Sequence, residues 1–205
     1  MNGSVDDIRE DIAFLKSLAL DGGAATPRGG GILALAGIVY AGASVAQWAA
    51  ERGMFALSGW GLPLIWLGAT VVFLAGMFIL LPRRGSSAKP ASARAMGEVW
   101  RSVGLSIFVI AVAFLIAANT TNQWIIMGLM APVVLALYGG AWSVGAQFAK
   151  IGWVKVMPWL CFAASAGTAL LIGRSEQYLA YAAALVLVAV APGLALANIK
   201  PASPA

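Results

Sequence analysis

The sequence predicts an all-α protein: a polytopic transmembrane bundle of six helices arranged as three hairpins, with a short N-terminal cytoplasmic amphipathic helix. Three observations carry that prediction. Of 205 residues, 61% are apolar and 10% are charged, whereas water-soluble domains carry about 45–50% and ~25%. Mean hydropathy is +0.88. The apolar residues fall into six runs of about 18–22, each able to cross a ~30 Å hydrocarbon layer at about 1.5 Å per residue. None shows the alternation of a barrel strand, and a lone strand in lipid leaves its backbone groups without partners. The expected division is a cytoplasmic segment 1–28, a membrane domain 29–198 and a short cytoplasmic tail 199–205.

The N-terminal segment opens with Ser4 and Asp7 in a capping-box arrangement. Val5, Ile8, Ile12, Leu15 and Ala19 then alternate in threes and fours, a seam two heptads long that Gly22-Gly23 ends. Asp6, Asp7, Glu10, Asp11 and Asp21 outnumber Arg9 and Lys16, for a net charge of −3. An anionic inner leaflet repels such a helix. Ile8, Ile12 and Leu15 are therefore a candidate surface for a protein partner; the plainer alternative is a frayed leader.

The first span, Gly31–Ala50, carries Tyr40, Ser44, Gln47 and Glu51 on one helical face. Gly29-Gly30-Gly31 precedes it without the lysine–hydroxyl pair of a phosphate loop. The second span, Leu62–Leu81, has Pro63 in its first turn, where proline costs little. The third, Trp100–Ala118, follows a long basic connection. The fourth, Trp124–Val144, contains Pro132, which should kink or open it. The fifth, Val154–Ile172, repeats a polar face with Cys161, Ser165 and Thr168, and Arg174 lies just past its outer end. The sixth, Tyr178–Leu196, contains Pro192.

Orientation follows from lysine and arginine. Arg9, Lys16, Arg28, Arg83, Arg84, Lys89, Arg94, Arg101, Lys150, Lys155 and Lys200 fall on one side, against Arg52 and Arg174 on the other. Both termini are thus expected in the cytoplasm, in a bacterial inner (plasma) membrane. The first span serves as an uncleaved insertion signal, and the short outer connections leave no external domain. Trp48, Trp60 and Trp124 mark the outer helix ends, and Trp100, Trp142, Trp153 and Trp159 the inner ones.

The connections Pro82–Val99 and Gln147–Trp153 separate the hairpins. Trp66-Leu67-Gly68-Ala69 in the second span faintly echoes Leu137-Tyr138-Gly139-Gly140 in the fourth. With Gly31–Gly42, these glycine pairs resemble uncharacterised small six-helix bacterial inner-membrane proteins. The pattern is loosely similar to the HdeD-like acid-resistance membrane family. That resemblance implies three hairpins with glycine-bearing second helices, and it carries over no functional residue.

The composition argues against enzymes. The chain has no histidine and one cysteine, and no ionisable side chain lies deep in any span. Hence no catalytic residue, cofactor or metal site is expected, nor is a nucleic-acid partner. The stripes Tyr40, Ser44, Gln47, Glu51 and Ser165, Thr168, Arg174 allow two readings. They line a polar cleft for a small solute, or they hydrogen-bond helices together. Under either reading they face the bundle, and Glu51 is expected to pair with Arg174. Small residues recur every fourth position at Gly42, Ala46 and Ala50, at Ala136, Gly140 and Val144, and at Ala189, Gly193 and Ala197. Such faces serve internal packing or an oligomer interface. The expectation is a non-enzymatic membrane protein that works through protein contacts, with lipid and a protein partner or second copy as neighbours. The alternative is a small-solute transporter or channel.

Overall fold

The computed structural model describes residues 27–55, 61–80, 91–148 and 151–198, and every regular element among them is helical. The N-terminal helix expected to carry Ile8, Ile12 and Leu15, like the C-terminal tail, lies outside the described residues. The helices are α1 (Pro27–Glu51), α2 (Gly61–Leu80), α3 (Ala91–Thr121), α4 (Met130–Phe148), α5 (Met157–Ala169), α6 (Glu176–Leu185) and α7 (Ala191–Ala197). A 3₁₀ turn, Trp124–Leu129, leads into α4 and another, Gly152–Lys155, precedes α5. A π-helical turn, Val186–Val190, joins α6 to α7 into one rod.

Among the described residues, five stretches are long and apolar enough to cross a membrane: Gly29–Glu51, Gly61–Leu80, Arg94–Thr121, Trp124–Gln147 and Glu176–Ala197. The expected fifth span, Val154–Ile172, needs correction, because it is not one continuous helix. Its α-helical part is the 13 residues of α5. Pro158 sits in the first turn, and the polypeptide leaves the helix at Leu170, before Gly173 with φ of +83°. Together with the preceding 3₁₀ turn the segment still reaches about 28 Å. At 31 residues α3 runs the other way, since about 46 Å exceeds a ~30 Å core. Its first turns carry the exposed pair Arg101–Glu98 at 3.8 Å.

Two helix ends are set by residues that tolerate a left-handed backbone. Gly53 (φ 72°) closes α1, with Met54 N–H on the Ala49 carbonyl and Gly53 N–H on that of Ala50. Asn122 (φ 56°) closes α3 in the same way, with Gln123 N–H on the Ala118 carbonyl.

The core lies where α4, α5 and the α6–α7 rod meet, and Leu135, Cys161, Leu185, Val188 and Ala189 are buried there. The first helix packs along the rod on one side and against α2 on the other; α3 packs on α4 and its leading 3₁₀ turn. Trp100 meets Tyr138 and Trp142 edge-on at 5.3 and 5.8 Å, and Trp142 meets Trp153 at 6.3 Å. Without a hydrophobic drive between helices in lipid, close approach of small residues substitutes for it. A Cβ on Gly193 would stand 2.6 Å from the Ala34 backbone nitrogen, and one on Gly30 2.5 Å from the Gly193 carbonyl oxygen. Of the three small-residue faces, Ala189, Gly193 and Ala197 therefore form a helix crossing. Ala136, Gly140 and Val144 instead point out of the bundle, as does Gly42. The two echoing glycine pairs sit in unlike surroundings: Gly68 faces open space, while Gly139 abuts the Phe162 ring.

Both intrahelical prolines behave as a lipid environment requires. Pro192 has no N–H for the carbonyl four residues earlier, that of Val188. The Trp142 indole N–H donates to that carbonyl at 3.1 Å. Pro132 likewise has no N–H for Gly128, whose carbonyl accepts from the Gln177 side-chain amide at 2.7 Å. Span four thus donates to the rod, and the rod donates to the lead-in of span four. Backbone freed by proline in a membrane helix is re-satisfied by neighbouring helices.

Candidate functional site

The polar face of the first span turns inward, with Ser44 and Gln47 buried and Tyr40 half-buried. Tyr40 donates to Thr70 of α2 at 3.4 Å and stacks near Trp66 and Phe73. The Ser44 hydroxyl donates to the Tyr40 carbonyl at 2.9 Å. Gln47 is a relay. Its Oε1 accepts from the Trp66 indole N–H, and its Nε2 donates to Glu51 Oε1 at 3.0 Å. The line from Trp66 through Gln47 to Glu51 climbs to the helix end that the charge distribution assigns to the outside.

On α5, Cys161 and Thr168 are buried and Ser165 is half-buried. The Ser165 hydroxyl donates to the Pro132 carbonyl at 2.7 Å, which ties α5 to α4, and Thr168 donates back to Ala164 at 2.9 Å. The stripes do not confront each other, because α1 and α5 are not among the closely packed helix pairs. Each serves a different seam.

What meets at this end of the bundle is charge. Gly53 turns the chain after α1, so that Glu51 is the last helical residue and Arg52 follows it with its N–H on the Trp48 carbonyl at 3.0 Å. The turn at Gly173, closed by Arg174 N–H on the Leu171 carbonyl at 3.0 Å, delivers Arg174 beside the start of α6. The expected pair of Glu51 with Arg174 is corrected here: the ion pair that forms is Arg52–Glu176. Helix phase explains the exchange. Adjacent residues point about 100° apart, so Glu51 turns back to Gln47 and Tyr178 while Arg52 reaches Glu176.

Glu51 and Arg174 instead share the wall of a cavity of about 130 Å³, with Trp124, Ile125, Gly128, Gly173, Gln177 and Tyr178. Gly128 lies close to Gln177 in that wall: a Cβ there would stand 3.3 Å from Gln177 Oε1, so the amide would have to shift by a few tenths of an ångström. The arrangement sets one carboxylate, one guanidinium, a phenol and an exposed indole around a small opening. It suits a dipolar group better than a simple ion. Sequence reasoning missed Trp124, Gln177 and Tyr178 as wall residues. The available signal was the run Arg174-Ser175-Glu176-Gln177-Tyr178 at the start of a span, five side chains with polar atoms beside a glycine turn.

No family model, curated protein or solved structure matches the chain.

Proposed function

We propose that this protein is a non-enzymatic integral membrane protein of the bacterial inner membrane that acts through protein contacts, as an accessory, stress-related or regulatory subunit. In this reading the three hairpins enter and leave on the cytoplasmic side. The supporting observation is the small-residue face of α4. This helix is otherwise central, yet Ala136, Gly140 and Val144 are all exposed, and nothing stands within 4 Å of where a Gly140 Cβ would be. The same kind of face at Gly30 and Gly193 is closed by direct backbone contact. A helix from a second copy or partner subunit fits this exposed face by the same packing. The internal hydrogen bonds of both polar stripes favour this reading over solute passage through spans one and five. The rim cavity is what speaks for the solute alternative.

The test uses Gly140→Cys in a Cys161→Ser background, reconstituted as the full chain in vesicles. Oxidation should give a disulfide-linked pair of chains, and Gly140→Leu should lower the oligomer fraction seen by single-molecule photobleaching. A monomer at every density, with no cross-link at residue 140 to itself or to a co-expressed membrane partner, refutes the proposal.

A further inference from the structure

All four charged residues that the sequence assigns to the outer side, Glu51, Arg52, Arg174 and Glu176, gather at one end of the bundle. Arg52 and Glu176 neutralise each other. The remaining carboxylate and guanidinium make no ion pair with one another, yet they line the same cavity. Neither is sequestered, for both residues are exposed. Glu51 is oriented from behind by Gln47, and its carboxylate keeps capacity for further donors, since a carboxylate offers about four acceptor sites. Arg174 presents a guanidinium fork suited to phosphate or carboxylate.

The surroundings select the class of ligand. Trp124 stands at the rim with 54% of its surface exposed, and Ile125 and Leu129 on the same 3₁₀ turn are 57% and 39% exposed. Indole prefers the headgroup level of a bilayer, and its face attracts cationic amines. A polar cavity bounded by an interfacial tryptophan and continued by exposed apolar side chains matches a molecule with a charged head and an apolar tail.

We propose that the cavity binds the headgroup of a zwitterionic phospholipid of the outer leaflet, with its ammonium toward Glu51 and its phosphate toward Arg174. The chemistry recognised is an amine and a phosphate joined by a short linker. Phosphatidylethanolamine has this arrangement, whereas phosphatidylglycerol has the phosphate without the amine. The site is independent of the α4 face that supports the proposed function.

The experiment is lipid retention by native mass spectrometry of the full chain, exchanged into an equimolar mixture of the two lipids. Wild type should retain phosphatidylethanolamine about fivefold over phosphatidylglycerol, a difference of roughly 1 kcal/mol. Glu51→Gln should bring the ratio toward parity, whereas Arg174→Gln should lower retention of both lipids, which share the phosphate. Glu51→Lys, which makes the wall wholly cationic, should reverse it. Thermal midpoints of the variants, measured by circular dichroism, separate loss of the site from loss of the fold. Free phosphoethanolamine added to delipidated protein distinguishes the sources. Saturable binding that needs Glu51, without any lipid preference, assigns the same site to a soluble zwitterion. Equal retention of both lipids with no phosphoethanolamine binding overturns the proposal, as does a preference that survives both Glu51→Gln and Glu51→Lys, or a retention of both lipids that Arg174→Gln leaves unchanged.

Discussion

Replacing Trp142 with phenylalanine removes one N–H and leaves an aromatic ring of similar position. The Val188 carbonyl then loses the donor that stands 3.1 Å away, and Pro192 cannot supply another. An unsatisfied buried carbonyl costs about 1–3 kcal/mol, although hydrogen bonds between membrane helices measure nearer 0.6–1.7 kcal/mol. The edge contacts of Trp142 with Trp100 and Trp153 add about 0.5–1.5 kcal/mol each, so the single substitution mixes two effects. A double-mutant cycle with Pro192→Ala separates them. Alanine restores an N–H at 192 and lets the rod close onto Val188 in the four-residue register, in place of the five-residue register of the π turn, while the aromatic loss is the same in both backgrounds. The expected coupling is about 1 kcal/mol, or roughly fivefold in the unfolding constant. Unfolding in mixed micelles, titrated with denaturing detergent and followed by circular dichroism, measures each corner. If the two substitutions add within about 0.3–0.5 kcal/mol, Trp142 is packing rather than replacing a lost backbone donor, and the reasoning is refuted.

The companion seam makes the same claim: Gln177→Leu should destabilise by about 1 kcal/mol or more, with Pro132→Ala recovering part of the loss in the same titration. Gly193→Ile should cost at least about 1–3 kcal/mol by driving a side chain into the α1 backbone, whereas Gly140→Ile should stay within about 0.5 kcal/mol in the monomer; equal effects would contradict the assigned faces. Cys161 is 0% exposed, so a maleimide should label it only after unfolding, and rapid labelling of the folded protein would place that face of α5 outside the core. A reporter fused after Ala205 should be active only in the cytoplasm, and external activity would reverse the orientation drawn from the charge distribution.

The spans were legible because the demand that makes them is local. A bilayer requires about 20 apolar residues in register and every backbone group satisfied within the segment, so the runs and their tryptophan flanks suffice. The inward turn of Ser44, Gln47 and Thr168 was equally readable, since helical spacing fixes which residues share a face. What spacing does not fix is the partner. Arg52–Glu176 and Glu51–Arg174 are compatible pairs across the rim, yet the first forms and the second does not, because Glu51 turns back along α1 to Gln47. Three small-residue faces look alike in sequence, yet one is sealed against Gly30 and Ala34 and another faces outward. That difference is set by where the rod crosses α1, which is long-range information. The early end of α5 belongs here too: its apolar run continues to Ile172, but the Gly173 turn must bring Arg174 and Glu176 back toward α1. The prolines were half legible. Pro132 and Pro192 name, by their positions alone, the two carbonyls that need outside donors. In lipid only a side chain with an N–H or O–H at a buried position meets that need, which narrows the search to a few residues. Gln177 and Trp142 are two of those few. A proline within an apolar run can therefore be read as a constraint on tertiary structure, pointing to a donor on another helix.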